Sequence, residues 1–523
     1  MPRDRRALVA VAAVVLIVLV VVIAGSGGQA ATPPATAAAS VVPSDALAYI
    51  HLSTDRSRPG VTSALAVAGR FPGYPRLRDE LLARLGATQP GAALDYNSDI
   101  RPWIGKEAGV ALLDTSPGAA ASLIVVAVRN RPAAERYVAG LPSDGSASYQ
   151  GTTITGHPHA GDTAFVGRYL LIGHSSGIRA ALDVAAGRAP SLSDDPVYRR
   201  ATASEPPGRA ADAYLSRTGV IQLLASQRGL VGTIASLLYD PSVQGVAIAV
   251  TPASGGVELL VHSVRAAQPK HSSLASFTPS LPGSVPAGAA LFLDAADLGT
   301  ILTQVLPTIG IGARIPELLS RLGKALTAKK INVAQDIAPL FRREAAVVIS
   351  THGTTPVVTV IAHAPDPNQT REAFAQLETP LAELLAGAGT AAVQAPVFNQ
   401  VTAGGVTAHQ LVLAPGFQLD YAVFGSELVV STSLEGIAAV AHHASSLAGE
   451  PAYQAALGNH PARVTSLLFL DLNQLLSLGE QTGRITGARF RALLPDLEQV
   501  RAIGLDSTSG EADSTAELFL RIP

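Results

Sequence analysis

Val42-Pro43-Ser44-Asp45-Ala46-Leu47-Ala48-Tyr49 is answered later in the chain by Val285-Pro286-Ala287-Gly288-Ala289-Ala290-Leu291-Phe292, and this correspondence decides the fold. Asp99-Ile100-Arg101-Pro102-Trp103 is answered in turn by Asp336-Ile337-Ala338-Pro339-Leu340. Each is followed by a Glu-Ala step, Glu107-Ala108 and Glu344-Ala345. Asp195-Pro196-Val197-Tyr198 matches Glu450-Pro451-Ala452-Tyr453, and Val257-Glu258-Leu259-Leu260 matches Ala516-Glu517-Leu518-Phe519. The matches keep their order and their offsets stay between 237 and 259 residues, which chance pairing of Ala- and Val-rich segments does not do. The expected organisation is two tandem homologous domains, residues 43–264 and 284–523. Arg265 to Gly283, rich in Ser, Pro and Ala, is read as the linker between them.

Within the first half the pattern mixes helices and strands without strict βαβ alternation. A strand over Ala46–Ser53 precedes a helical stretch over Leu77–Leu85 and strands over Glu107–Leu113 and Ser122–Arg129. Pro132 opens a helix, in the first turn where proline is tolerated. Short strands at Thr152–Gly156, Thr163–Val166 and Tyr169–Gly173 read as hairpins. Helices at Gly177–Ala186 and Pro196–Thr202, a strand at Ala213–Ser216 and helical residues Val220–Leu238 follow. Val243–Thr251 and Val257–Ser263 close the half as strands, joined at a Ser254-Gly255-Gly256 turn. Consecutive strands with tight turns imply an α+β class in which each domain is a mainly antiparallel sheet with packed helices. Ser122–Arg129 is apolar almost throughout, which implies cover on both faces.

The chain of 523 residues exceeds what one hydrophobic core serves. With 38 basic and 40 acidic residues the formal charge is −2, which argues against nucleic acid as a partner. The absence of cysteine excludes disulfides, thiol catalysis and Cys-ligated zinc. No P-loop, dinucleotide fingerprint or EF-hand loop is present, so no cofactor is implied.

Arg3, Arg5 and Arg6 precede an uncharged apolar run from Ala7 to Ala24. At 1.5 Å per residue that run spans about 27 Å, close to a bilayer hydrocarbon core. The flanking arginines place residues 1–6 in the cytoplasm and everything after the span outside. The run is longer than the apolar part of a cleavable signal, so residues 7–24 are expected to be a single uncleaved anchor. Residues 25–42, Gly-, Ala-, Thr- and Pro-rich, read as a flexible tether.

Gly173-His174-Ser175-Ser176-Gly177 fits G-x-S-x-G between a strand and a helix. A hydrolase would use Ser175, with His157, His159 or His174 as base. The strand before it looks like the second arm of a hairpin, and the corresponding Ser431-Thr432-Ser433-Leu434-Glu435-Gly436 lacks the first glycine. A helix N-cap explains both stretches, with Thr432 and Glu435 at capping-box spacing. His157-Pro158-His159, with Asp162 nearby, and His442-His443 lack the further ligands a metal would need, and read as solvated histidines. Asp99 and Asp336 are expected to cap a short helical turn, with Trp103 and Leu340 as core anchors. No catalytic, cofactor or metal residue is assigned.

The pattern Val42-Pro43, Asp45-Ala46 and Tyr49 after an anchor, then Asp99-Ile100, Pro102-Trp103-Ile104-Gly105, resembles a family of bacterial exported proteins known as a domain of unknown function. The second half departs from it at Gly288, Leu340 and Arg342. The resemblance implies the cell envelope of high-GC Gram-positive bacteria, with no catalytic residues to carry over. The expected function is a non-enzymatic, membrane-anchored envelope module binding a protein or polymer. The alternatives are a carrier or sensor of an apolar ligand such as a lipid, lined by Val220–Leu238 and Leu298–Leu326, and a serine hydrolase using Ser175.

Overall fold

Tyr49, His51 and Ser53 point to one side of the first strand and Ala48, Ile50 and Leu52 to the other, and the sheet is built outward from this strand. The computed structural model describes residues 32–61, 63, 69–76, 96–114, 122–158, 161–224, 242–266, 275–296, 343–352, 355–386, 397–414, 417–481 and 488–522. The first ten strands are β1 (Ala48–Ser53), β2 (Ile104–Leu112), β3 (Ser122–Val128), β4 (Gly145–Tyr149), β5 (Thr152–Gly156), β6 (Asp162–Val166), β7 (Tyr169–Gly173), β8 (Ala211–Ser216), β9 (Val243–Ala253) and β10 (Gly256–Arg265). They lie side by side in the order β4-β5-β6-β7-β3-β2-β1-β8-β9-β10, every pair antiparallel.

The next ten are β11 (Leu291–Ala296), β12 (Glu344–His352), β13 (Thr355–His363), β14 (Asn399–Ala403), β15 (Val406–Ala414), β16 (Phe417–Phe424), β17 (Glu427–Ser431), β18 (Ser466–Asp471), β19 (Ala502–Ser509) and β20 (Asp513–Arg521). Their order, β14-β15-β16-β17-β13-β12-β11-β18-β19-β20, repeats the first set strand for strand. β10 then pairs antiparallel with β20, so one continuous sheet runs through both sets. Leu259 faces Leu518 in that pairing, and these two residues correspond in the sequence match. The seam is thus a local two-fold centre, buried under a cluster that includes Val257, Leu259, Leu293, Leu468, Leu505 and Leu520.

β3 is covered on both faces, as its apolar run implies. Leu123, Val125 and Ala127 meet Ile178 and Leu182 of the helix Ser175–Ala185. On the opposite face Val126 packs with Ile100, Trp103 and Ala134, the last from the helix Arg131–Ala139. Asn130 caps that helix by accepting the Ala133 N–H at 3.2 Å, with proline in its first turn as expected. The helix Pro196–Thr202 has the expected bounds because Asp195 accepts the Tyr198 N–H at 2.7 Å. This helix and its counterpart Pro451–Leu457 lie close to the sheet over Gly245 and Gly504. A side chain at 504 would run into the Ala456 backbone carbonyl. Gly504→Val is therefore expected to cost about 1–3 kcal/mol, read as a lower unfolding midpoint; an unchanged midpoint would refute this seating.

Several expectations are corrected. Residues 37–41 do not belong to a flexible tether: Ala37–Val41 is a 3-10 turn with Ala38, Ala39 and Val41 buried. The buried Glu107 accepts the Ala38 N–H at 3.0 Å, and the small alanines let the turn seat against the core. The described parts of the stretch read as a linker, 265–266 and 275–283, are likewise packed into the fold. Arg265 ends β10, Phe277 bridges Val464, and Leu281 sits in the second core with its N–H on Glu344 at 2.8 Å. Asp99 lies inside a five-residue π turn, Tyr96–Ile100, and does not cap it. Its carbonyl takes the Trp103 indole N–H at 2.6 Å, and its carboxylate accepts from Ser98. Trp103, 2% exposed, is the core anchor expected of it. β4 was not foreseen, because Gly-Ser-Ala-Ser-Tyr has weak strand propensity; the tight Gln150-Gly151 turn, both residues at positive φ, sets it against β5.

The expected anchor at 7–24, the expected helix at Leu77–Leu85, Asp336, Leu340, His159, the run Leu298–Leu326 and most of Val220–Leu238 lie outside the described residues. Among the described residues no helix is long and apolar enough to cross a membrane.

Candidate functional site

The residues singled out in the sequence are held apart. β7 ends at Gly173 between β3 and β6, both antiparallel to it, which is not the parallel strand of a nucleophile elbow. His174 itself caps the helix: its Nδ1 lies 3.4 Å from the Ser176 N–H and 2.9 Å from the Ser176 hydroxyl, and it makes no bond to Ser175. His157 is buried, with Nδ1 on the Pro142 carbonyl at 2.8 Å and Nε2 on the Thr163 hydroxyl at 2.9 Å. In the second half Ser433 is the cap, accepting the Glu435 N–H at 3.1 Å, while Thr432 accepts the Val358 N–H. His443 contacts the Val440 and Gly283 carbonyls. Among the described residues no group of three His, Asp or Glu is placed to hold a metal ion.

Two arrangements that sequence reasoning missed do bring polar groups together. The first is buried. His51 on β1 and Asp212 on β8 are direct cross-strand partners, with Nδ1 to Oδ1 at 2.9 Å. Arg209 bonds Asp212 at 2.8 Å and Glu205 at 2.9 Å. Burial raises the Asp212 carboxyl, but the hydrogen bonds and charges of His51 and Arg209 outweigh it and hold Asp212 below its ordinary value. Burial and the Asp212 charge push Glu205 up to about 9 against the pull of Arg209. At the matching places of the second set stand Asp294 and Leu467, also direct partners. Asp294 is fully buried, and burial and the neighbouring Glu344 push its carboxyl well up.

The second arrangement faces solvent. The helix Pro367–Ala386 packs on β15, β16 and β17 and leaves a cleft of about 680 Å3 at its flank. The helix contributes Arg371, Glu372 and Ala375; the strands contribute Gln400, Val406, Thr407, His409, Tyr421 and Val423. Strand alternation puts Gln400, His409 and Tyr421 on one face, since Gln400 pairs with His409 and His409 with Tyr421. Glu378, one helical turn beyond Ala375, anchors this wall. Its Oε1 lies 2.6 Å from both His409 Nδ1 and the Tyr421 hydroxyl. The His409 ring stacks on Tyr421 with centroids 4.7 Å apart and planes 20° apart, and Phe374 and Phe398 back the tyrosine. Burial, then Glu378, raises the Tyr421 hydroxyl, so it stays a donor.

The chemistry of that wall follows. A carboxylate oxygen only accepts, so His409 Nδ1 carries a proton, and in the neutral ring Nε2 then presents a lone pair. His409 is about a quarter exposed and lines the cleft, and Nε2 has no protein hydrogen bond among the described residues. Arg371 is fixed by Val423 O at 3.3 Å and Asn368 Oδ1 at 2.7 Å. The wall is a rigid, mixed donor and acceptor surface. The local sequence held one weak signal: Ala408 is buried and His409 alternates to the helix side of β15, whereas Glu378 lies 31 residues away.

The chain belongs to a family of proteins of unknown function, DUF3352, whose family model matches residues 7–522. No curated protein matches it significantly. Among solved structures it is similar to crystal form III of TP0453, at 13% identity and a TM-score of 0.25 over 46% of this chain and 84% of that one. Crystal form I of the same protein gives 12% identity and a TM-score of 0.26 over 47% and 83%. Likenesses this slight carry no argument about fold or function.

Proposed function

We propose that this chain is a membrane-anchored binding module of the bacterial cell envelope, made of two duplicated domains, whose cleft under the helix Pro367–Ala386 takes a segment of an envelope polymer without converting it chemically. The observation that carries this reading is His409, held by Glu378 and Tyr421 so that Nε2 faces an open cleft of about 680 Å3. A side chain fixed in this way is ordered before the ligand arrives, which lowers the entropy cost of binding. Residues 7–24 anchor the chain. Arg58 ties Thr32 to the fold, bonding Thr32 O at 3.0 and 3.3 Å and also the Pro207 and Arg209 carbonyls. Residues 25–31 reach at most about 25 Å when extended, so the domains stay near the bilayer.

One fractionation tests both parts. Full-length protein is expected to remain in washed membranes, and a version lacking residues 1–24 to leave them. The released version should sediment with isolated cell walls, and His409→Ala should weaken that sedimentation about tenfold, the effect of losing one buried-side hydrogen bond. Equal sedimentation of His409→Ala and parent would sink the cleft as the binding site.

A further inference from the structure

We infer, resting on the cleft as the binding site, that its ligand is an uncharged carbohydrate segment. Arg371 and Glu372 are neighbours on the helix and both line the cleft, so their charges offset one another and favour no net charge in what binds. The lining mixes acceptors, the Glu372 carboxylate and, in the neutral ring, His409 Nε2, with donors, Arg371 and the Gln400 amide.

Two other classes of ligand leave part of that lining unpaired. A phosphodiester offers only acceptor oxygens, which would meet the Glu372 carboxylate, and an inorganic phosphate brings a net negative charge to it. A hydrocarbon chain would desolvate all four polar side chains without replacing their hydrogen bonds. A sugar hydroxyl both donates and accepts, and several on one ring can meet an acceptor and a donor at once. The ring's C–H face in turn suits the aliphatic part of the lining, Val406. The volume of about 680 Å3 is in the range of small-molecule sites, about 300–1,000 Å3, and leaves room for a short run of sugar rings.

The test uses the full chain in nanodiscs and titration calorimetry with three probes: neutral oligosaccharides released from the envelope polymer, uncharged peptides released from the same walls, and inorganic phosphate. The expected result is binding of neutral oligosaccharides alone. His409→Phe should reduce their affinity at least tenfold, and His409→Asn, which restores an acceptor, should recover part of it, with unfolding temperatures unchanged. Binding of peptide or phosphate in place of oligosaccharide overturns the inference. So does oligosaccharide binding that His409→Phe leaves intact. If protein still sediments with cell walls in a His409-dependent way but ignores the oligosaccharides, the carbohydrate inference fails and the cleft survives as the site; loss of both removes both.

Discussion

Asp212→Ala is expected to lower the stability of the first half by about 3–5 kcal/mol, the cost of breaking a buried ion pair by removing one partner. The variant leaves Arg209, which is 8% exposed, without the carboxylate that its Nε bonds at 2.8 Å, and strips His51, fully buried, of its Nδ1 partner. The readout is direct. Trp103 is the only tryptophan and lies in the first half, so its fluorescence follows that half through denaturant unfolding. The second half shows that the strand positions themselves do not require an ion pair, since Leu467 stands where Asp212 does. Replacing His51, Glu205, Arg209 and Asp212 together by Leu, Leu, Met and Leu is therefore expected to be close to neutral. A loss below about 1 kcal/mol for Asp212→Ala would show that water reaches the cluster and that the charges are not buried as a unit.

Stability is expected to fall as pH rises from about 5 to 9, unlike that of a protein held by ionised carboxylates. Glu205 at about 9, Asp506 at about 7 and Asp420 at about 6 keep protons in the folded state that the unfolded chain has released near pH 4. Burial also raises Asp294 and Glu258, the latter helped by Glu517. Between the unfolded and folded values the native state holds more protons, so each unit of pH weakens it, and the contribution is complete only below pH 4. Asp212 and Asp55 are shifted the other way, and their contribution is lost only as pH falls below about 4, outside this window.

Asp506 isolates the effect. It stands directly opposite Glu517 on β20, with Glu258 diagonal across the seam, and is 8% exposed. Asp506→Asn is expected to stabilise the protein by about 1–3 kcal/mol more at pH 8.5 than at pH 5. Thermal unfolding midpoints at the two pH values check this. A midpoint that rises from pH 5 to 8.5 in the parent would contradict the whole account.

How much could be read in advance differs from element to element. Pro196–Thr202 was legible to the residue, because an N-cap aspartate and a proline are local signals. β9 and β10 were legible through alternation around a Gly-Gly turn. β4 and the turn Ala37–Val41 were not, since Ser, Gly and Ala carry little propensity and are ordered only by what packs on them. The capping of the helix after β7 was foreseen, but not that His174 does it, because a histidine cap depends on the ring's orientation.

The sequence by itself determined the α+β class, the antiparallel pairing of neighbouring strands and the order of the elements, because each rests on periodicity and turn chemistry within a few residues. The tertiary structure alone decided that β10 joins β20 in one sheet, that Asp212 meets His51, and that Glu378 aims His409 into a cleft. Those contacts join residues 31 to more than two hundred positions apart. Nothing in the local pattern of either partner records the other. The geometry follows from strand register and helix placement, which are settled only when the whole apolar core packs at once.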